Sequence, residues 1–325
     1  MADGGPSGTG TRTSGTGSGP PAPVVAAPVP RARPRRGLGP PPWVPLAYLA
    51  PGFLVYAAFL LYPLGRAVHL SLFDWDGLTL AHFVGLGNYV EVVTDEKLRA
   101  AFGHALVLIV FFAGLPTVVG LALAAVLNRA KVRGLGFFRT VVFLPQVVAM
   151  VVVGVAWRRL YAPDGSVNDL LHVLGLGGLS RAWLGDTTLA LPAVGVAGTW
   201  VQTGLVTVLL LAGMSRVPGD LYEAARLDGA GAVREFFAIT LPSVRAELAV
   251  ALTLTVIAAL KTFDLIYVTT GGGPGDRTSV PSFEVYNRAF RLGEVGSAAA
   301  VGVTLTVLIF VLNLAIARVG ERGER

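Results

Sequence analysis

The side chains that could do chemistry in this sequence are few, and their spacing argues for contact rather than catalysis. Asp220, Glu223, Asp228 and Glu235, with Glu247 just beyond, gather five of the 20 acidic residues in and beside the stretch DLYEAARLDGAGAVREFFAITLP. His69, His82, His104 and His172 are scattered without metal-ligand spacing, and neither a nucleophile elbow nor a carboxylate pair accompanies them. Each reads as an interfacial or packed histidine. The three lysines, Lys97, Lys131 and Lys261, do not follow a glycine, so no phosphate-cradling P-loop is present. The absence of cysteine excludes a disulfide framework, thiolate metal sites and thiol catalysis. Hydrolysis of a nucleotide would have to be done by another chain, and neither metal nor cofactor is expected.

The acidic stretch reads as a helix-turn-helix knob. Pro218 and Asp220 stand where a helix should begin, and Asp220 with Glu223 makes a start like a capping box. Leu221, Ala224, Ala225 and Leu227 give a small apolar surface beside Glu223 and Arg226, and the paired alanines would let another backbone approach closely. Gly229 should stop the helix, because glycine tolerates positive φ. A second short helix around Val233 to Ala238 would present Phe236 and Phe237, and Pro242 would mark the turn into the next apolar run. A plain connector, or an amphipathic strip lying on lipid, is the competing reading, although such strips usually carry more Lys and Arg.

The elements around this knob must be membrane spans. The 325 residues are 53% hydrophobic and 14% charged, with mean hydropathy +0.65, against a charged fraction of about 25% in soluble proteins. Six runs reach the length of about 20 residues that a helix needs to cross hydrocarbon: 46–70, 101–127, 140–160, 189–214, 248–269 and 297–318. Pro51, Pro63, Pro116 and Pro145 fall in or near them, where bent helices are tolerated. Residues 1–42, rich in Gly, Pro, Ser, Thr and Ala, read as a disordered cytoplasmic tail ahead of a membrane domain at 43–320, with 321–325 a cytoplasmic end.

Charge then orients the chain. With the N-terminus inside, the inner segments hold five Lys plus Arg in the tail, four after the second span, four after the fourth and three at the end. Ten of the 26 remain for the outside and the spans, whereas 12 of the 20 acids fall there, so the balance is positive inside. The loop at 216–245 is then cytoplasmic. The pI near 9.9 reflects this topology rather than a nucleic-acid surface, because the basic residues form no dense patch. Outside lie the loops with FDWDG and FVGLGNYVEV, the middle loop from Tyr161 to Thr188 and TGGGPGDRTS from Thr270. Trp75, Tyr161 and Trp183 suit a membrane boundary.

Polar residues inside the spans mark a candidate path, since a charge at mid-membrane costs roughly 2.5 to 3.5 kcal/mol on translocon scales. Lys261 and Asp264, three apart on one face of a continuous fifth helix, could neutralise each other. Gln146, Gln202, Thr203 and Asn313 are the other candidates. The plainer reading is an ion pair near the outer end, with the amides joining helices.

The knob also carries a family resemblance. Glu223, Ala224, Ala225, Gly229, Ile239, Leu241 and Pro242 fill every fixed position of a pattern of EAA, three residues, G, nine residues, I, any residue, L, P. That pattern is similar to the EAA loop of the integral membrane subunits of binding-protein-dependent ABC importers. FVGLGNYVEV, RTVVFLPQVVAMVVVGVAWRRLYAPDGSVNDLL, AGMSRVPGDLYEAARLDGA and LKTFDLIYVTTGGGP resemble the carbohydrate-uptake branch, of maltose, lactose and glycerol-phosphate type, over roughly 45–318. The approach to the second span departs from it, reading GHALVLIVFF where the family usually has an asparagine-threonine pair.

The resemblance implies an all-α membrane protein of six transmembrane helices in the type I ABC importer permease fold. It implies pairing with a second permease subunit, two ATP-binding subunits under the EAA loops and an extracytoplasmic solute-binding protein that delivers a sugar. Glu223 would be a charged contact to the ATPase, Ala224 and Ala225 its close-packing surface, Arg226 and Asp228 flanking contacts, and Gly229 the turn that fixes the helix angle. A permease for a non-sugar solute, an ion-coupled secondary transporter and a membrane-bound sensor or scaffold are the alternatives. The secondary transporter would be favoured by an inverted repeat, and none is evident.

Overall fold

The computed structural model describes residues 43–129 and 134–321. The expected tail at 1–42, with Arg31, Arg33, Arg35 and Arg36, lies outside the described residues, as do Lys131 and 322–325. The chain divides into two compact units, residues 1–55 and 56–325. The described part of the first is helical, α1 being Trp43–Tyr56 with Pro51 inside it.

The second unit is built almost wholly from helices. A π turn, Ala57–Leu61, leads into α2, Tyr62–Leu70. Two short strands, β1 (Phe73–Asp74) and β2 (His82–Phe83), pair antiparallel beyond it, with Phe73 opposite Phe83. Then come α3, Gly87–Thr94, and α4, Glu96–Ile109, which starts where Asp95 accepts the Leu98 amide at 2.8 Å, a side-chain N-cap. A π turn, Val110–Gly114, joins α4 to α5, Leu115–Arg129.

The third span, expected at 140–160 with a tolerated bend near Pro145, does not run on one axis. Instead α6, Leu135–Val147, and α7, Met150–Leu160, meet at 95°. Pro145 supplies no amide to the ladder, and Val148 and Ala149 adopt extended ψ of 133° and 136°, so the helix restarts on a new axis. After α8, Ser166–Val173, and a 3-10 turn, Gly177–Leu179, the chain enters α9, Ala190–Met214.

The segment that carries the EAA pattern comprises α10 (Gly219–Leu227), α11 (Ala232–Glu235), a π turn at Phe236–Thr240 and α12 (Leu241–Ser243). It bends by 70° into α13, Arg245–Leu260. Here too the sequence expectation of one helix over 248–269 is corrected. Lys261 caps α13, and a separate α14 starts at Asp264 and runs to Thr269. Tertiary contacts hold this break, because Ser282 Oγ donates to the Thr262 carbonyl and the Phe263 ring stacks on Phe283 at 6.4 Å. The chain closes with α15 (Pro281–Asn287), a π turn (Arg288–Leu292) and α16 (Val295–Glu321).

Four of these helices, Ala47–Leu70, Glu96–Asn128, Ala190–Met214 and Val295–Arg318, are long and apolar enough to cross a membrane; counting each bent pair as one span gives six. The core is organised on α9, whose buried face meets α5 and α6. Small residues permit that approach. A Cβ on Gly198 would fall 2.1 Å from Phe112 Cε2, and one on Gly204 2.3 Å from the Val142 carbonyl oxygen. Between spans in lipid, association depends on such close packing because the tails are as apolar as the side chains. Beyond the two breaks α7 packs on α14, where Gly154 faces Val268 and Leu265.

Candidate functional site

The knob forms as the sequence suggests, except at its start. The N-cap of α10 is Pro218, which bonds no amide through a side chain, and Asp220 lies inside the first turn, so the capping-box reading of Asp220 and Glu223 is corrected. Asp220 in the first turn and Arg226 in the last still oppose the helix dipole favourably. The stop is a Schellman arrangement: the Gly229 amide donates to the Arg226 carbonyl at 3.0 Å, the Ala230 amide to the Ala225 carbonyl at 2.9 Å, and Gly229 has φ +78°.

No residue of α10 is buried. Glu223, Ala224 and Asp228 are exposed, Ala225 is half-buried, and Leu221 and Leu227 are 49% and 89% exposed. Arg226 has an internal partner. Its Nε donates to Glu235 Oε1 at 3.0 Å, and that carboxylate is only 3% exposed. With the Tyr222 hydroxyl 3.0 Å from Thr240 Oγ1, this contact holds the first arm of the knob on the second. A cavity of about 340 Å³ between Glu223, Arg226, Tyr222, Asn128 and Met214 lies under the knob. Phe237 and Val233 on the second arm are also exposed. The segment thus presents a carboxylate, small residues and bare apolar side chains together.

The pathway candidates divide. Gln146 on α6 and Gln202 and Thr203 on α9 belong to two helices packed together. Gln202 is buried, and the Oε1 atoms of Gln146 and Gln202 have no hydrogen-bond partner within the protein. Thr203 Oγ1 donates to the Thr199 carbonyl at 2.7 Å, one rung of a threonine ladder that continues with Thr207 onto Thr203. Asn313 on α16 donates to the Ile309 carbonyl at 2.8 Å and leaves Oδ1 unpartnered. Lys261 and Asp264 do not share a helical face, because the chain breaks between them. Both are exposed, and no ion pair joins them among the described residues.

Sequence reasoning missed the polar fastenings of the loops at 71–97, 161–188 and 270–297. Asn88, inside FVGLGNYVEV, donates to the carbonyls of Ser71 and Phe73 at 2.8 and 2.9 Å. Asn168, 2% exposed, donates to the carbonyls of Ala162, Pro163 and Arg181 and accepts from the Arg181 amide and Trp183 Nε1. Arg288 Nη1 donates to Glu91 at 2.6 Å, Ser297 Oγ at 2.7 Å and Glu294 at 3.2 Å. Lys97 reaches Asp276 at 3.3 Å and Glu284 at 3.5 Å. Both asparagines lie in stretches that resemble the importer family, FVGLGNYVEV and the one ending in VNDLL, and that is the only signal in the sequence that points to them. Trp75 and Tyr161, expected at a membrane boundary, bond within the protein, to the carbonyls of Thr79 and Ala193.

Two loop aspartates carry lowered pKa values. Asp76 is held down by the Thr79 and then the Leu78 backbone amide, and Asp186 by the Thr188 hydroxyl, then the Thr188 and Leu189 amides.

Comparisons with known proteins place this architecture. The diacetylchitobiose uptake system permease protein NgcF of Streptomyces coelicolor is 35% identical over 280 residues, covering 82% of this chain and 79% of that protein. The trehalose/maltose transport system permease protein MalF of Thermococcus litoralis is 35% identical over 284 residues, covering 85% and 94%. A solved bacterial ABC transporter involved in import of the acidic polysaccharide alginate has a chain of the same fold, with TM-score 0.72, 23% identity and coverage of 86% of this chain and 96% of that one. Residues 97–323 match the family described as binding-protein-dependent transport system inner membrane component, and the chain belongs to that family of multi-pass membrane proteins.

Proposed function

We propose that this permease subunit forms half of a translocation pathway for a sugar or sugar-like solute, with the segment at 216–245 facing the cytoplasm as the contact for a separate ATPase. The observation that carries the reading is α10, a helix with no buried residue whose direction is fixed by the Gly229 stop. In water such a surface of Leu221, Leu227, Val233 and Phe237 is a liability, and exposed apolar groups beside charge mark a protein contact.

The assembly has this chain paired with a second permease subunit, two ATP-binding subunits beneath the two knobs and an extracytoplasmic solute-binding protein. Both termini are cytoplasmic, as the distribution of Lys and Arg favours. Closure of the ATPase pair draws on α10, and the spans swing between inward-open and outward-open states. Glu223, Ala224, Ala225, Asp228 and Gly229 make the contact, and Arg226 holds the knob's shape through Glu235. Gln146, Gln202 and Thr203, with Lys261, Asp264 and Asn313, contribute polar groups to the pathway. A sugar is favoured because relatives with about a third of their residues in common are named for uptake of diacetylchitobiose and of trehalose and maltose.

The test is coupled transport by the reconstituted complex. Glu223→Lys and Gly229→Pro should insert normally, yet separate ATP hydrolysis from uptake. Normal uptake by both variants would refute the coupling role.

A further inference from the structure

Where α13 leaves the coupling segment, an apolar groove of about 500 Å³ opens between it and the last turns of α16. Arg245, Leu248, Ala249 and Leu252 form one wall at the i, i+3, i+4, i+7 spacing that lines a single helical face. Ala315 and Gly320 are on the other. Small residues make the room, and a methyl on Gly320 would lie 3.0 Å from Ala249 Cβ.

This stripe has one polar end. Arg245 is exposed, and among the described residues no carboxylate pairs with its guanidinium. Glu247, two residues on, pairs instead with Arg216 at 3.3 Å and packs against Gly213. A cation in the first turn of α13 adds to the positive end of the helix dipole, so the entrance is electropositive. From Arg245 to Leu252 the helix rises about 10 Å, against roughly 15 Å for the hydrocarbon of one leaflet. A positive group above a narrow apolar slot of that depth is complementary to an anionic amphiphile.

We propose that this groove seats an acyl chain of an anionic phospholipid, whose phosphate pairs with Arg245. A zwitterionic lipid would fill the same slot without a net charge gain. The site stands whichever way the chain crosses the bilayer, because the groove lies at the level where the polar segment gives way to α13.

The test uses the full-length protein, with its partners, in phosphatidylcholine vesicles carrying phosphatidylglycerol that bears a photoactivatable acyl chain. Label should map to 248–252 and 315–320, be displaced by excess phosphatidylglycerol and resist excess phosphatidylcholine. Arg245→Gln should lower labelling about fivefold, the weight of one basic side chain at an anionic surface, and Arg245→Lys should restore most of it. Ala249→Trp, which fills the slot and leaves the charge, should abolish labelling. If Arg245→Gln fails to accumulate, the lysine and tryptophan variants carry the test. Equal displacement by both lipids would overturn the proposal. So would a photo-crosslinker at Leu252 that captures a neighbouring protein chain in place of lipid, since the groove would then be a subunit interface.

Discussion

The two ends of this molecule are built to opposite rules. At one end, loops that look like connectors are fastened by buried polar residues, Asn168 and Asn88 tying their own loops and Arg288 reaching across 197 residues of sequence. At the other end, α10 buries nothing, and the contacts of Arg226 with Glu235 and of Tyr222 with Thr240 join the arms of its knob. The first end fastens its loops from within the chain. The second is shaped but leaves α10 uncovered, as a protein contact surface would be. The lesson is that internal fastening and bare surface sit in different places, so substitutions at the two ends should fail differently.

The largest effect should come from Arg288→Met. Removing one member of a buried ion cluster costs about 3 to 5 kcal/mol, and the half-exposed Glu91 and Glu294 put this case near the lower figure. Thermal unfolding of the purified protein should show it directly. Asn168→Ala comes next, at about 2 kcal/mol, because it strips the Trp183 indole and the Arg181 amide of an acceptor; limited proteolysis of the 161–188 loop would report it. At the other end, Gly229→Ala must hold a side chain at φ +78°, a local cost of roughly 1 to 2 kcal/mol. It should reduce uptake well before it changes the unfolding temperature. If Arg288→Met unfolds no more readily than Gly229→Ala, the contrast between the two ends is wrong.

The smallest effect concerns pH. Asp76 and Asp186 have folded pKa values below the ordinary 3.8, so their contribution is present above that value and is lost as pH falls through the depressed folded values. Hydrogen exchange at the Thr79 and Thr188 amides should therefore hold steady from neutral pH down to about 4 and lose protection only below it, apart from the intrinsic pH trend.

What the sequence revealed and what it concealed follow from how local each cause is. Gly229 could be read in advance because a helix stop is decided by a few neighbours, and the four long helices by their apolar length. The capping box failed by two residues: the cap is Pro218 and the helix begins at Gly219, which moves Asp220 from cap to first turn. The break at Lys261 to Phe263 carries no proline or glycine, and it depends on Ser282 and on rings that fold back from later in the chain. Arg288 meets Glu91 across 197 residues of sequence, a convergence that no local pattern encodes. Gln146, Gln202 and Asn313 were visible as polar residues in apolar runs, while their unpartnered oxygens belong to three dimensions.

The interrupted helices have one more consequence. Each interruption strands the closing carbonyls of one helix and the opening amides of the next, and the exposed Ala149 and Lys261 stand at those points. Oily lipid tails can satisfy none of these groups. At bilayer depth a kink is tolerated only where protein or water, rather than a lipid tail, meets its backbone, so the ends of α6 and α13 are faces that lipid cannot coat.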